Sequence, residues 1–357
     1  MAHQRIPAAA PQWYDMRPDM LMQPMRSDDR RGRAQALTPR AWGALAAAVV
    51  VAAGACAGER RAPGEPERTR PEATGSAAPA APAPATAPLS AGCGAATDLP
   101  GMSEQQLTSG GRERRYVARL PVGYDGRAPL PLVIELHGSG GTPAGQLGTS
   151  QLSVLADAQR FAIVAPQALD GRWNVPPDPG KADDVRFIAD LLDATERRLC
   201  VERRRVFATG FSGGGRMSSQ LACDLSERVA AVAPVGGLRF PGPCERARSV
   251  PVIAFHGTAD TVNPYDGGGQ PYWGTSVEAA FDGWGRHNGC GLRQESQVAP
   301  AVARLAYDGN GCGEVVLYRI DGFDHSWPGA IYSGREGGSA NDLIWAFLSE
   351  RPLPAAD

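Results

Sequence analysis

With 357 residues, 43% of them hydrophobic and 21% charged, the chain has enough apolar content for one large globular domain or two small ones. A formal net charge of -2 removes any electrostatic reason to expect a nucleic-acid partner. Its seven cysteines contain no CxxC pair, which excludes the common zinc and thioredoxin-like patterns.

Residues 1–40 are polar and without periodicity, and Arg26, Arg30, Arg31, Arg33 and Arg40 precede the apolar run Ala41–Ala55. That run is shorter than the roughly 20 residues of a membrane span. Basic residues before it and small ones after it mark the h-region of a secretory signal. Counted from Met1 the n-region is unusually long, and a start at Met25 gives a more ordinary one. Ala53-Gly54-Ala55 fits the small-x-small cleavage rule. With Cys56 it also resembles a bacterial lipobox, although Ala53 stands where Leu is usual. Residues 1–56 are therefore read as a presequence with Cys56 as a lipidation site, and membrane contact is expected only through that anchor. A short uncleaved anchor is the alternative. Residues 57–92, rich in Ala, Pro, Glu and Arg, cannot bury a core and read as an extended linker.

One domain is expected over 93–357. Arg115–Pro121 alternates as an antiparallel strand should, and Pro131–His137, Phe161–Pro166, Val206–Thr209, Val229–Pro234 and Val250–His256 are apolar runs typical of buried strands. Helical spacing appears between Ala182 and Leu199, with Val185, Ile188, Leu191, Leu192 and Leu199 near one face. Val277–His287 and Asn341–Ser349 read as further helices, and Val315–Ile320 as a strand. Alternating strands and helices predict an α/β fold with a mostly parallel sheet and functional loops at the strand C-termini.

Between Val206–Thr209 and a helix from about Gly214 to Cys223 lies Gly210-Phe211-Ser212-Gly213-Gly214. A serine at the apex of a strand–turn–helix flanked by glycines is the nucleophile-elbow pattern of α/β-hydrolases. A Gly-rich turn with a serine cap is the plain alternative. A serine hydroxyl needs a base, and the base an orienting carboxylate. Of the five histidines, His325 lies after the last predicted strand and before the closing helix, where the order Ser, Asp, His places the base. His3 falls in the presequence, His287 on a helix surface, and His137 and His256 at strand ends where packing or backbone roles are expected. Asp260 follows the strand ending at Phe255 and is the chosen acid. Asp266 is the alternative, while Asp321 and Asp324 are too close to His325 in sequence. Leu136-His137-Gly138-Ser139-Gly140-Gly141 lacks the Lys-Ser/Thr ending of a phosphate loop. It offers a second oxyanion donor: Gly213 supplies one amide, and Ser139, with Gly140 next in line, the other.

Arg115-Tyr116, Pro131–Gly138, Asp184–Ile188, Gly210–Gly215, Ala231–Pro234, Phe255–Asp260 and His325–Gly329 together resemble the secreted polyhydroxybutyrate-depolymerase and feruloyl-esterase group of α/β-hydrolases, including its lipoproteins. Gly213-Gly214 stands where Asn-Gly is more usual, and Gly-Phe-Asp precedes His325 where Gly-rich runs are common. The resemblance implies Ser212 as nucleophile, His325 as base and Asp260 as its partner, with a small-molecule or polymeric ester as substrate and no metal or other cofactor. An acyltransferase with the same triad and a non-catalytic surface binder are the rival readings. Trp327, Trp173 and Tyr265 are candidate pocket residues, with core packing the alternative for Trp327. In an exported chain the six cysteines beyond Cys56 are expected to pair. Local order suggests Cys290–Cys312 and Cys223–Cys244, which leaves Cys93–Cys200.

Overall fold

A computed structural model describes residues 89–355 apart from 246, 310 and 330–338. The signal-like run, Met25, Cys56 and nearly all of the expected linker lie outside the described residues. Backbone pairing begins at Leu89, which bridges to Glu202, while Ser90 Oγ accepts from the Val201 amide at 2.7 Å.

The sheet has the order β1-β2-β4-β3-β5-β6-β7-β10-β9-β8. Its parallel centre comprises β4 (Ala162–Pro166), β3 (Leu130–Leu136), β5 (Val201–Phe211), β6 (Ala231–Val235), β7 (Val252–Gly257) and β10 (Val315–Ile320). Antiparallel strands extend both ends: β1 (Met102–Ser109) and β2 (Arg112–Arg119) beyond β4, and β9 (Val302–Tyr307) and β8 (Arg293–Ala299) beyond β10. β1, β8 and β9 have no counterpart in the sequence reading. β1 and β8 are polar and largely exposed, as in Arg293-Gln-Glu-Ser-Gln, and carry no apolar alternation, whereas β9 (Val-Ala-Arg-Leu-Ala-Tyr) is short and mostly buried.

Successive residues of the central strands feed two separate cores, as the two-residue pleat requires. Leu132, Ile134, Val206, Ala208, Val252 and Leu317 pack with Phe187, Leu191, Met217, Leu221 and Trp284 of one helical layer. That layer is α3 (Asp184–Arg198), α4 (Gly213–Asp224) and α5 (Val277–His287). Val133, Phe207, Ala233, Phe255 and Val316 pack instead with Leu147, Ala156, Ile344 and Phe347. These come from α1 (Pro143–Ser150), α2 (Leu152–Gln159) and α6 (Ala340–Ser349). The helices start where the sequence can satisfy their free amides. Asp183 accepts from the Arg186 amide, and Ser339 forms a capping box with Asp342. Among the described residues no helix is long and apolar enough to cross a membrane.

Three disulfides close the fold: Cys93–Cys200, Cys223–Cys244 and Cys290–Cys312. The second ties α4 to the segment after β6, and the third spans from the end of α5 to the start of β10.

Glu135 of β3 is fully buried. Gln146 of α1 donates to its Oε1 at 3.1 Å, whereas Oε2 has no hydrogen-bond partner among the described residues. Burial pushes this carboxyl up to about 7. A raised carboxyl pKa means that stability is fully present below about pH 4.5 and is lost as pH rises through 7. Glu135→Gln removes this dependence. Urea unfolding at pH 5 and pH 8 is expected to show the variant gaining on the wild type by up to roughly 3 kcal/mol across that interval. A difference that does not change with pH would contradict it.

Candidate active site

Ser212 sits between β5 and α4 with φ 54° and ψ -112°, a conformation that L-residues rarely adopt. The cause is backbone crowding around it. A Cβ on Gly210 would lie 2.6 Å from the Leu136 carbonyl oxygen, one on Gly214 would overlap that same oxygen, and one on Gly237 would overlap the Ser212 carbonyl. The turn is locked by Ser212 N donating to Val235 O (2.8 Å) and Arg216 N donating to Ser212 O (3.0 Å). The hydroxyl is thereby presented at the C-terminal edge of the parallel strands, with Ser212 only 8% exposed.

His325, five residues after β10, reaches Ser212 Oγ through Nε2 at 2.9 Å and Asp260 Oδ2 through Nδ1 at 2.6 Å. Phe211 packs tilted against the imidazole, with ring centroids 4.8 Å apart. Asp260 follows β7 and is buried. Its Oδ1 accepts the amides of Val262 (2.9 Å) and Asn263 (2.7 Å). Burial alone would raise this carboxyl. Hydrogen bonds from His256, His325 and the Asn263 amide outweigh it and hold Asp260 well below the usual carboxylate range. The arrangement keeps a carboxylate under Nδ1, so Nε2 is free to accept the Ser212 proton.

His256, expected from its place at a strand end to serve in packing, stands against the same carboxylate. Its Nε2 donates to Asn263 O at 2.8 Å and lies 3.3 Å from Asp260 Oδ2, and its ring stacks on Trp273. It therefore shares the carboxylate with His325. Asn263 Nδ2 extends this network to Gly236 O at 2.7 Å, beneath the base.

The loop after β3 is held by its own backbone groups. His137 Nδ1 donates to Gly138 O (2.7 Å), and its Nε2 accepts the Ala168 amide (3.0 Å). Burial holds His137 below the usual imidazole range, which favours this neutral form. Trp173 donates its indole N–H to His137 O at 2.8 Å, Gly140 N donates to Gly171 O, and Gly141 N donates to Gly138 O. Among the described residues the Ser139 amide has no acceptor. It lies 3.2 Å from where a Cβ on Gly213 would be. Gly213 is the first residue of α4, whose amide has no acceptor within the helix. The Ser139 and Gly213 amides, neither with an acceptor among the described residues, thus lie close together beside Ser212. Gly140 is excluded as a donor because its amide is spent on Gly171.

The other expected residues divide. Trp173 is buried and lines a cleft together with Ser139. Tyr265 does not fill that role: its hydroxyl donates to Glu278 at 3.1 Å and its ring packs in the core beside His256. Trp327 packs against the α2/α6 core and donates its N–H to Asn341 at 3.1 Å, so it fastens the His325 loop to α6. Asp266, Asp321 and Asp324 are exposed, and among the described residues none of their side chains bonds to the His325 imidazole. His287 is half-buried between Phe240 and Trp284 rather than on the surface. Sequence reasoning also missed Arg216 and Tyr272, which stack with the guanidinium 4.0 Å from the ring centroid in the Ser139 cleft. They are far apart in sequence, and only the direct adjacency of Arg216 to the elbow pointed to either.

No protein-family model matches the chain. It is 30% identical over 285 residues to feruloyl esterase D of Neurospora crassa, covering 76% of this chain and 93% of that protein. It is 30% identical over 259 residues to feruloyl esterase B of Piromyces equi, covering 68% of this chain and 46% of that protein, so it spans about half of that relative's length. Acetyl xylan esterase from Aspergillus awamori superimposes with a TM-score of 0.51 at 14% identity, covering 69% of this chain and 99% of that one, a likeness of fold.

Asp260→Asn leaves a side chain that fits but stabilises the wrong imidazole tautomer. Labelling of Ser212 by a fluorophosphonate, followed by mass spectrometry, is expected to slow by roughly 10³–10⁴-fold in this variant. An unchanged labelling rate would mean that Asp260 does not orient His325.

Proposed function

The chain belongs to the feruloyl-esterase group of α/β-hydrolases and is a carboxylic-ester hydrolase, and from that premise we propose that it acts outside the cytoplasm as a serine esterase through an acyl-serine intermediate. The observation that carries the mechanism is the Ser212–His325–Asp260 relay, with distances of 2.9 and 2.6 Å. Ser212 Oγ attacks the ester carbonyl while His325 Nε2 takes its proton. Asp260 holds the Nδ1 proton and stabilises the imidazolium. The Ser139 and Gly213 amides receive the charge that develops on the carbonyl oxygen. His325 then returns the proton to the departing alcohol. Water, deprotonated by the same nitrogen, attacks the acyl-serine, and the acid is released as Ser212 regains its proton. The residues present supply every proton transfer in this cycle.

For the substrate we propose feruloyl or acetyl esters of polysaccharides, or hydroxyalkanoate esters. The feruloyl esterases support the first class, and the likeness of Arg115-Tyr116 through His325–Gly329 to the depolymerase group supports the last. Three disulfides support export, since such bonds persist in oxidising compartments. In our reading Cys56 carries the lipid anchor. Globomycin-sensitive processing or palmitate incorporation that disappears in Cys56→Ser tests it, and processing unaffected by that change would refute it.

Methyl ferulate, acetylated xylan and hydroxybutyrate oligomers, assayed on the wild type beside Ser212→Ala, test the catalytic reading. The variant is expected to lose at least roughly 10⁴-fold in kcat on any ester that the wild type cleaves. Hydrolysis that survives the substitution would overturn the assignment of Ser212.

A further inference from the structure

Beside the oxyanion loop lies a cleft of about 540 Å³ that shares Ser139 with the catalytic machinery. Its floor holds Arg216, on the first turn of α4 and only 7% exposed. Nη1 donates to Val175 O at 3.3 Å, and Nε is buried with no hydrogen-bond partner among the described residues. Nη2 has no hydrogen bond among the described residues and lies 3.5 Å from the position of a Gly213 Cβ, on the nucleophile side of the cleft. Tyr272 covers one face of the guanidinium and fixes its plane. Burial, with Arg239 and Arg172 nearby and Tyr272 opposing them, holds the Arg216 pKa below its ordinary value.

What is absent around Arg216 is a counter-ion. Among the described residues neither it, Arg172 nor Arg239 has a carboxylate within ion-pair distance, and Arg239 also keeps a buried nitrogen without a partner. Of the two acids that line the cleft, Asp184 is saturated by Arg114 at 2.6 Å and the Asn174 amide at 2.7 Å. Asp170 is exposed. Arg172 and Lys181 add positive charge to the wall, although Lys181 faces Asp178 at 3.7 Å in solvent. A guanidinium removed from water without a counter-ion is costly, and its planar donors match a carboxylate.

We propose that this cleft is an anion subsite anchored by Arg216, so that the preferred esters carry a carboxylate close to the scissile carbonyl. The inference rests on the ester-hydrolase reading and narrows its substrate class to half-esters of dicarboxylic acids, with the charge on the acyl side, or esters of hydroxy acids, with the charge on the alcohol side. Both classes present the same group to the same guanidinium.

Two matched pairs separate these sources. On the acyl side, 4-nitrophenyl hemiglutarate is compared with 4-nitrophenyl valerate. On the alcohol side, 3-acetoxybutyrate is compared with its methyl ester, read by acetate release. The wild type is expected to favour the anionic member of at least one pair by roughly tenfold in kcat/KM at low salt, the scale of a charge-assisted bond. That preference should shrink in about 0.5 M salt as screening shortens. In Arg216→Gln the ratio is expected to collapse towards one, with part of it retained in Arg216→Lys. Because each ratio is formed within one protein, a partly folded variant does not distort it. Neutral esters cleaved in a Ser212-dependent way with no anion preference in either pair would overturn the subsite, as would a preference that survives Arg216→Gln. Absence of Ser212-dependent cleavage of all four esters would overturn the esterase reading, and this inference with it.

Discussion

Backbone lies on backbone at the elbow. The first turn of α4 is pressed so tightly against the end of β3 that Gly210 and Gly214 have no room for a side chain beside the Leu136 carbonyl. Gly237 closes on the Ser212 carbonyl from the β6 side. With both walls fixed, the residue between strand and helix has one conformation left, and it is a strained one worth about 1–3 kcal/mol. The parallel sheet sustains it because the Ser212 amide is bonded to β6 and the Ser212 carbonyl to α4. The same crowding brings Ser139 up against Gly213 beside Ser212, so the strained serine and the two neighbouring unbonded amides are consequences of a single contact.

Around that contact the polar groups are arranged to be immobile. Asp260 accepts from two amides on one oxygen and meets two imidazoles on the other. His137 and Trp173 fasten the glycine loop by its carbonyls, and the Ser139 amide has no acceptor among the described residues. The Arg114–Asp184 pair, fully buried beneath Phe187, joins β2 to the N-terminus of α3 and holds the Asn174 amide next to Trp173. A buried pair of this kind adds little net stability, but removing one partner strands the other. Its value here is in keeping the wall of the cleft in register with the oxyanion loop.

Much of this was legible in the sequence for a simple reason. In a parallel sheet the central strands are apolar runs and the chemistry follows their C-termini, so Ser212, Asp260 and His325 stand out as polar residues just past Phe211, Gly257 and Ile320. α5 and β10 fall where their periodicity places them. The hairpin β8–β9 and the helices α1 and α2 were not legible. The hairpin's outer strand is largely solvated, and Gly145 and Gly148 dilute the amphipathic signal of α1. The roles of Trp327 and Tyr265 escaped for a different reason. Proximity in sequence to a catalytic residue says nothing of the direction of an aromatic ring, and both rings turn into packing. The meeting of Arg216 with Tyr272 depends on a loop crossing that no local pattern encodes.

The Cys93–Cys200 bond has a mechanical meaning. It fastens Cys93, near the N-terminal end of the described residues, to Cys200, the residue just before β5, with Cα atoms 4.0 Å apart. A pull applied from the N-terminal side is therefore delivered through sulfur to the middle of the sheet, where neighbouring strands share it in shear. The terminal β1–β2 hairpin, which would otherwise unzip first, is bypassed. Load on the leading segment reaches the strand that carries Ser212 without peeling an edge, so the enzyme can be held by one end while its active site stays assembled.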